Sequence, residues 1–222
     1  MPATIYKKTL ANVLSHVIDS KRTEIKVAAK TLNITKDSAR IALNTLTRYG
    51  FIKERKYKDI GVSYYYPSDN RVMTIFVLDP AESFVFVCDT SMNIKYNMAY
   101  GMVPYMDTKM NMHHFIKRIG LYLRSDSGEI PGAIPFLAVP GKVNEINGKI
   151  ASEQFPDLIA NDIEKYLREL MGVKRIGIFG YDYSPSNTRH NVEFLRELML
   201  GATMRFFKKK KKSTNKTLPN KK

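Results

Sequence analysis

A group of polar and basic side chains between residues 35 and 58 has the chemistry needed to contact nucleic acid. Hydrogen-bonding side chains that can reach base edges stand at Thr35, Ser38, Arg40 and Asn44. Cationic side chains that can neutralise phosphates stand at Lys36, Arg48, Lys53, Arg55, Lys56 and Lys58. Contacts to base edges carry sequence information, whereas phosphate contacts fix position and supply affinity. The set therefore predicts a surface that reads double-stranded DNA.

Three helices and a hairpin are expected to position these side chains. Apolar residues at helical and then strand-like spacing predict helices over 4–19, 23–32 and 36–49, and strands over 51–57 and 62–66. Thr23 and Thr35 are the expected N-caps, and Gly50 ends the third helix. The buried stripe expected on the third helix consists of Ala39, Ala42, Leu43 and Leu46. The turn 33–35 between the second and third helices is short.

This order of elements resembles a winged helix-turn-helix. In such a domain a helix fits the major groove, and its N-terminal side chains reach base edges. Two other interpretations stay open, because lysines and arginines often form only a solvated helix face and some winged domains bind only protein. Asp37 would repel phosphate, so it is expected to interact with the helix dipole in the first turn.

The tyrosine run 64–66 lies in the second predicted strand of the hairpin. A tyrosine on the wing could contact sugar or phosphate of the nucleic acid. Tyrosine also has a high strand propensity, which makes simple packing the more common meaning of such a run.

The positive charge is concentrated at the two ends of the chain. The formal net charge is +15 over 222 residues, with 36 basic and 21 acidic side chains. Residues 1–70 contribute +7, residues 71–207 are neutral with 15 charges of each sign, and residues 208–222 contribute +8 from lysines alone. We therefore expect a DNA-binding domain over 1–70, a second domain over 71–207 and a disordered basic tail over 208–222.

Several classes of protein are excluded by composition. A single cysteine cannot form a disulfide framework or a zinc finger. The sequence has neither the apolar run of roughly 18 residues that a membrane span needs nor a signal peptide's apolar centre. We expect a cytoplasmic, nucleoid-associated protein with no metal and no cofactor.

The neutral middle alternates strands and helices, which predicts a mixed α/β fold. The expected strands are 72–78, 84–88, 94–103, 132–139 and 175–179, and the expected helices are 107–124, 158–171 and 187–200. Asn147-Gly148 has the residue types of a hairpin turn.

From residue 1 to about 200, this order resembles the ROK family of repressors and sugar kinases, whose effector domain has an actin-like ATPase fold. In that family a strand ends in an Asp-x-Gly-[Gly/Ala]-Thr loop that wraps phosphate, and the segment Val77 to Val87 occupies its place. A later strand of the family ends in Pro-Gly and is followed by an Asn/Asp-x-x-x-Gly turn. The segments 130–144, with Pro140-Gly141, and 147–150 are similar to it. The resemblance implies the first half of an actin-like, ribonuclease H-like fold.

The departures from this family concern the chemistry. Phosphate-wrapping loops use glycines so that backbone N–H groups can approach the anion, but here Pro80 lacks an N–H and Glu82 is negatively charged. The degenerate loop comprises Asp79, Glu82 and Ser83. Of the kinases' Glu-Asn-Asp-x-Asn element only Asp182 remains, and of their zinc ligands only Cys88. The second lobe that closes over sugar and nucleotide would begin where the lysine run starts. We therefore expect no catalytic activity.

The leading hypothesis is a sequence-specific regulator of transcription, most simply a repressor, that binds duplex DNA as a homodimer. One alternative is a plasmid or phage replication or partition protein, which would use the same winged domain on repeated sites. A third is a ROK-type protein that responds to a sugar or nucleotide. The sequence leaves a small-molecule effector open.

Overall fold

The computed structural model describes residues 3–101, 107–124, 135–143, 150–156, 158 and 160–207. Three of the features expected from the sequence lie outside these ranges, namely the turn at 147–148, the start of the predicted strand at 132–134 and the basic tail at 208–222.

The N-terminal part forms three helices and an antiparallel hairpin in the expected order. Their bounds are α1 (Ala3–Ser20), α2 (Ile25–Thr31), α3 (Lys36–Arg48), β1 (Ile52–Tyr57) and β2 (Val62–Pro67). The strands are joined by a 3₁₀ turn, Lys58–Ile60, and by Gly61, whose φ of 63° is left-handed. The predicted helices and strands of this part are confirmed.

The ends of α3 follow the predicted capping. The Thr35 hydroxyl oxygen accepts a hydrogen bond from the Ser38 backbone N–H at 3.1 Å. At the other end Gly50 has a φ of 76°, and the N–H groups of Gly50 and Phe51 bond back to the carbonyls of Thr47 and Leu46. This is a Schellman motif, which glycine accommodates without steric cost. All four residues of the expected buried stripe are buried, so the face opposite them points to solvent.

The expected cap of the second helix is wrong. Glu24 precedes α2 without a capping bond from its side chain. Thr23 is buried and exchanges two backbone hydrogen bonds with Tyr65, at 3.0 and 2.9 Å. It thus adds a one-residue bridge to β2, and its hydroxyl lies 2.9 Å from His16 Nε2. Pairing with the hairpin satisfies the Thr23 backbone more completely than a helix start would.

A mixed five-stranded sheet forms the centre of the rest of the chain. In chain order its elements and their neighbours are β3 (Val72–Val77), β4 (Glu82–Asp89), β5 (Ile94–Gly101), α4 (Thr108–Arg124), β6 (Phe136–Pro140), β7 (Lys142–Val143), β8 (Ile150–Ala151), α5 (Ala160–Met171), β9 (Gly177–Tyr181) and α6 (Val192–Phe206). The sheet order is β5-β4-β3-β6-β9. Strands β3, β4 and β5 pair antiparallel, whereas β6 pairs parallel with both β3 and β9. The predicted mixed α/β class is confirmed.

Several predicted bounds shift. The last helix begins at Val192 instead of 187, because the Asn191 side chain caps it by accepting from the Phe194 N–H at 3.2 Å. The same helix continues to Phe206, and the last strand spans Gly177–Tyr181. A two-stranded antiparallel pair, β7 with β8, brackets the undescribed turn at 147–148.

Helix α6 lies between the sheet and the N-terminal helices. One face of the sheet packs against α4 and α5 through a core that includes Phe76, Val85, Phe115 and Leu167. The other face packs against α6, and α6 packs in turn against α1 within one continuous core. Arg196 on α6 bonds Asp19 at the end of α1 at 2.6 Å. Buried apolar contacts through α6 therefore hold the N-terminal helices against the sheet, in addition to the covalent connection of the chain.

Candidate nucleic-acid interface

The solvent-facing side of α3 carries two of the four predicted base-contacting residues, Arg40 and Asn44. Its exposed residues are Lys36, Asp37, Arg40, Ile41, Asn44 and Arg48. They recur at helical spacing along one face, opposite the buried stripe, because α3 is amphipathic. A ridge of this kind, about 10 Å across with its side chains, has the width that a major groove admits.

Two of the predicted base-contacting residues, Thr35 and Ser38, hydrogen-bond to each other at the N-cap of α3. The Thr35 hydroxyl donates to Ser38 Oγ at 2.9 Å while it accepts from the Ser38 backbone N–H. Both residues lie at the N-terminal end of α3, where a phosphate oxygen can also approach the exposed backbone N–H groups. Their hydroxyls therefore stabilise the start of the helix.

Asp37 pairs with a neighbouring guanidinium in addition to standing in the first turn. Its Oδ1 lies 2.7 Å from an Arg40 terminal nitrogen, and both side chains are exposed. A pair this exposed contributes little to stability. The pair limits the rotamers of the Arg40 side chain.

Ile41 was missed by the sequence reasoning. Its side chain is 53% exposed and lies at one edge of the exposed face, between Arg40 and Asn44 in the sequence. The signal was present, since an isoleucine four residues after Asp37 and three before Asn44 falls on the polar side of the helix. An exposed aliphatic side chain can make an apolar contact with the C5-methyl group of a thymine.

The predicted cations of the hairpin do not share one face. Cross-strand pairing places Lys53 and Arg55 on the same side as Tyr66 and Tyr64, whereas Lys56 lies on the opposite side with Tyr65. Lys58 lies in the 3₁₀ turn at the hairpin tip. Lys53 also pairs with Asp69 at 3.4 Å, so Arg55 and Lys58 are the hairpin cations best available to phosphate.

The outward side of the hairpin is lined by tyrosines and arginines. Tyr57 and Tyr64 meet edge to face at 5.5 Å, and the hydroxyls of Tyr57 and Tyr66 lie 3.4 Å apart. This hydrogen bond lowers the pKa of Tyr57, with Arg55 nearby acting in the same direction, and raises the pKa of Tyr66. Arg22, from the segment between α1 and α2, lies over the Tyr64 ring at 4.7 Å. The sequence reasoning missed Arg22, because it is distant from the hairpin along the chain.

The degenerate phosphate loop is filled by its own aspartate. The buried Asp79 carboxylate accepts from the backbone N–H groups of Ala81 and Glu82 at 2.9 and 3.2 Å. Ser83 Oγ accepts from the Asp79 N–H at 3.1 Å. The amides that a phosphate would use therefore already have an anionic partner. Glu82 pairs with Arg189 at 3.2 Å, and its carboxylate stays beside the loop.

Tyr181 closes this loop from the neighbouring part of the sheet. Its hydroxyl donates to the Leu78 carbonyl at 3.0 Å and lies 3.2 Å from the second Asp79 carboxylate oxygen. Burial raises the pKa of Tyr181 strongly, and the charge of Asp79 raises it further. The loop is thus tied to β9 by a neutral phenol.

Other candidate groups lie apart from these surfaces. Cys88 is fully buried on β4, and burial together with Asp89 raises its pKa to about 12. His113 contacts the Tyr166 hydroxyl. In the described ranges, no group of three His, Cys, Asp or Glu side chains is placed to hold a metal ion. None of the helices in those ranges is both long and apolar enough to cross a membrane.

Comparison with known proteins gives a structural likeness without a sequence match. No protein-family model and no curated protein matches the chain. A solved ROK family transcriptional regulator, described as a homolog of the E. coli MLC protein, aligns with a TM-score of 0.54 at 9% identity over 80% of this chain. A Bacteroides thetaiotaomicron protein described as having an actin-like ATPase fold and unknown function aligns over 80% of this chain at 6% identity, with a TM-score of 0.30.

The likeness to the ROK regulator is a likeness of fold. The chain spans 46% of the length of that regulator. Within this shared fold the chain consists of a mixed sheet flanked by helices, preceded by the three helices and hairpin that carry the basic surface.

Proposed function

We propose that this chain is a non-catalytic transcriptional regulator, most simply a repressor, which recognises a specific sequence in double-stranded DNA through α3. The observation that carries the proposal is the exposed face of α3, where Arg40, Ile41 and Asn44 stand together on a helix capped at both ends. Their side chains supply a bidentate donor for guanine, an apolar contact for thymine and a bidentate partner for adenine.

The three helices and the hairpin act as a winged helix-turn-helix in this proposal. Arg48 and Lys58 would contact phosphates on either side of the bases that α3 reads. The basic +7 of residues 1–70 supports this use, since neutralising phosphates supplies most of the affinity of such domains. A homodimer with two such helices would read a palindrome.

The absence of catalysis is part of the proposal and rests on the Asp79 loop. Its backbone N–H groups bond the Asp79 carboxylate, and Glu82 adds a second negative charge beside them. A nucleotide phosphate would have to displace a bonded carboxylate and approach a like charge, which is costly. Titration calorimetry with ATP and with common hexoses is expected to show no saturable binding. Saturable binding that Asp79→Ala abolishes would contradict this part.

Selection from a random duplex library tests sequence recognition. The full chain is expected to enrich one motif, and Arg40→Ala is expected to lose the preference at one base pair, with a cost of about 1–3 kcal/mol there. Lys174→Ala is the matched control, because it removes one exposed charge from the segment between α5 and β9. Equal binding of all duplexes by the unaltered chain would contradict sequence-specific regulation.

Mapping of bound sites in cells tests the regulatory role. Sites upstream of genes are expected if the protein is a repressor. Arrays of repeats at an origin of replication would instead indicate the replication or partition role.

A further inference from the structure

The hairpin has an outward face whose chemistry the reading of duplex DNA does not use. Cross-strand partners place Lys53, Arg55 and Tyr57 on the same side as Tyr66, Tyr64 and Val62. The opposite side holds Tyr65, which is buried with a 2% exposed side chain. We call the side formed by Arg22, Arg55, Tyr57, Tyr64 and Tyr66 the tyrosine face. It faces solvent because the hairpin has only one side packed on the helices.

The rings of this face are held in place by one another and by guanidinium groups. Tyr57 contacts Tyr64 edge to face, and its hydroxyl meets that of Tyr66. Arg22 lies 4.7 Å from the centre of the Tyr64 ring and Arg55 lies 5.6 Å from that of Tyr66. Side chains fixed in this way lose little entropy when a ligand settles on them.

We propose that the tyrosine face binds single-stranded DNA by stacking on its unpaired bases. Aromatic rings and guanidinium planes are the groups on which unpaired bases stack, and the positive charges of Arg22 and Arg55 attract the phosphates between the bases. Tyr57 is the most open ring, with 42% of its side chain exposed. It is therefore the principal stacking residue, with Arg22 and Arg55 beside it.

Duplex DNA does not satisfy this face as well. In a duplex each base has both of its planes covered by neighbours and presents only its edges in the grooves. An exposed aromatic ring such as that of Tyr57 gains little from base edges, whereas stacking of a base on an aromatic ring stabilises single-strand binding strongly and with little dependence on sequence. The tyrosine face therefore suits unpaired bases, whereas the polar exposed face of α3 suits base edges in a duplex.

The test measures fluorescence anisotropy of a labelled thymidine oligonucleotide and of an abasic strand of the same length. Both strands have the same phosphates, so the lysines of residues 208–222 attract them equally, and only stacking distinguishes them. The full chain is expected to bind the thymidine strand more tightly. Tyr57→Ala is expected to weaken that binding about 5- to 100-fold and to leave the abasic strand unchanged.

Two further variants show whether the effect comes from this ring. Tyr57→Phe keeps the stacking plane and is expected to bind like the unaltered chain. Tyr96→Ala removes a similarly exposed tyrosine, with 36% exposure, from the edge strand β5 and is expected to have no effect. Equal affinity for the thymidine and abasic strands, or an equal loss in Tyr57→Ala and Tyr96→Ala, would overturn the proposal.

A ribonucleotide strand of the same base sequence tests whether the tyrosine face prefers DNA or RNA. Tighter binding of the ribonucleotide strand would overturn the assignment to DNA. This site is independent of duplex recognition, so Arg40→Ala is expected to leave the affinity for the thymidine strand within about twofold. A failed duplex selection with intact single-strand binding would reject the proposed function alone, and the reverse result would reject the tyrosine face alone.

Discussion

At the scale of single residues, the exposed face of α3 combines a restrained guanidinium with an apolar side chain. Arg40 pairs with Asp37, and the next residue, Ile41, has a 53% exposed side chain. Exposing an isoleucine gives no benefit to folding, since its transfer from water is favourable. In the proposed function, the thymine methyl group would supply the apolar surface that Ile41 contacts.

Replacing Ile41 by alanine is expected to remove recognition of a thymine methyl group. In the motif enriched by the unaltered chain, substitution of uracil for one thymine should weaken binding about fourfold, since one buried methyl group is worth about 0.8 kcal/mol. Ile41→Ala should bind the thymine and uracil duplexes equally. Competition binding with the two duplexes measures the difference, and a persistent preference for thymine in Ile41→Ala would disprove this contact.

The same face shows how far the sequence could predict side-chain roles. The amphipathic pattern of α3 was enough to separate its buried stripe from its exposed face. The Arg40–Asp37 pair was not expected, although the spacing of three residues permits it. Arg22 joins the hairpin only through tertiary structure, so no pattern local to the hairpin could identify it.

At the scale of elements, the loop between β3 and β4 is stabilised by contacts that replace a bound anion. The Asp79 carboxylate accepts hydrogen bonds from two backbone N–H groups of the loop, and the Tyr181 hydroxyl on β9 donates to the Leu78 carbonyl. The resemblance to the ROK family located the loop, and Pro80 and Glu82 indicated that it is unsuited to phosphate. The sequence could not identify Tyr181, because the contact depends on how β9 is placed in the sheet.

Replacing Tyr181 by phenylalanine is expected to destabilise the protein by about 1–3 kcal/mol. The change keeps the ring but leaves a buried Asp79 oxygen and the Leu78 carbonyl without this donor. Urea unfolding followed by circular dichroism measures the loss. Tyr96→Phe is the control, since it removes a hydroxyl from the more exposed Tyr96 on β5, and an equal loss in both variants would show that the loop contact contributes nothing.

The pH dependence of stability provides a second measurement on the same residue. Burial raises the pKa of Tyr181 above its ordinary value, so the folded protein retains a proton that the unfolded chain releases. The stability that the protonated Tyr181 phenol contributes to the folded state is fully present below about pH 10, and it is lost as the pH rises above that value. The Tyr181→Phe variant should show a shallower alkaline loss of stability than the unaltered chain. Parallel alkaline curves would mean that the Tyr181 phenol does not titrate differently in the two states.

At the scale of the whole molecule, α6 joins the basic N-terminal elements to the sheet. Its buried residues belong to the same core as those of α1 and of one sheet face. The sequence predicted a helix here but placed its start at 187, because the capping role of Asn191 is visible only once the helix is seen. The boundary at 67–71 between two separate domains stays a prediction.

Deleting residues 208–222 is expected to weaken binding to all DNA alike. The segment holds eight lysines and no acid, so its attraction to phosphate carries no sequence information. The slope of log affinity against log salt should become shallower by several units, and by at most about 7. The enriched motif should stay the same, and its loss on deletion would show that the segment contributes to recognition. Filter binding at a series of salt concentrations provides the measurement.

The C-terminal end of α6 packs against the C-terminal end of α3. The rings of Phe206 and Phe207 meet Tyr49 at the end of α3 at 5.6 and 5.2 Å, and Arg71 lies over Phe206 at 4.4 Å. The described part of the chain therefore ends at Phe207, beside the C-terminal end of α3. If α3 binds duplex DNA as proposed, the lysines that follow Phe207 in the sequence have a high effective concentration on the same duplex. Dissociation of α3 would then leave the protein close to its site, where it can rebind before it diffuses away.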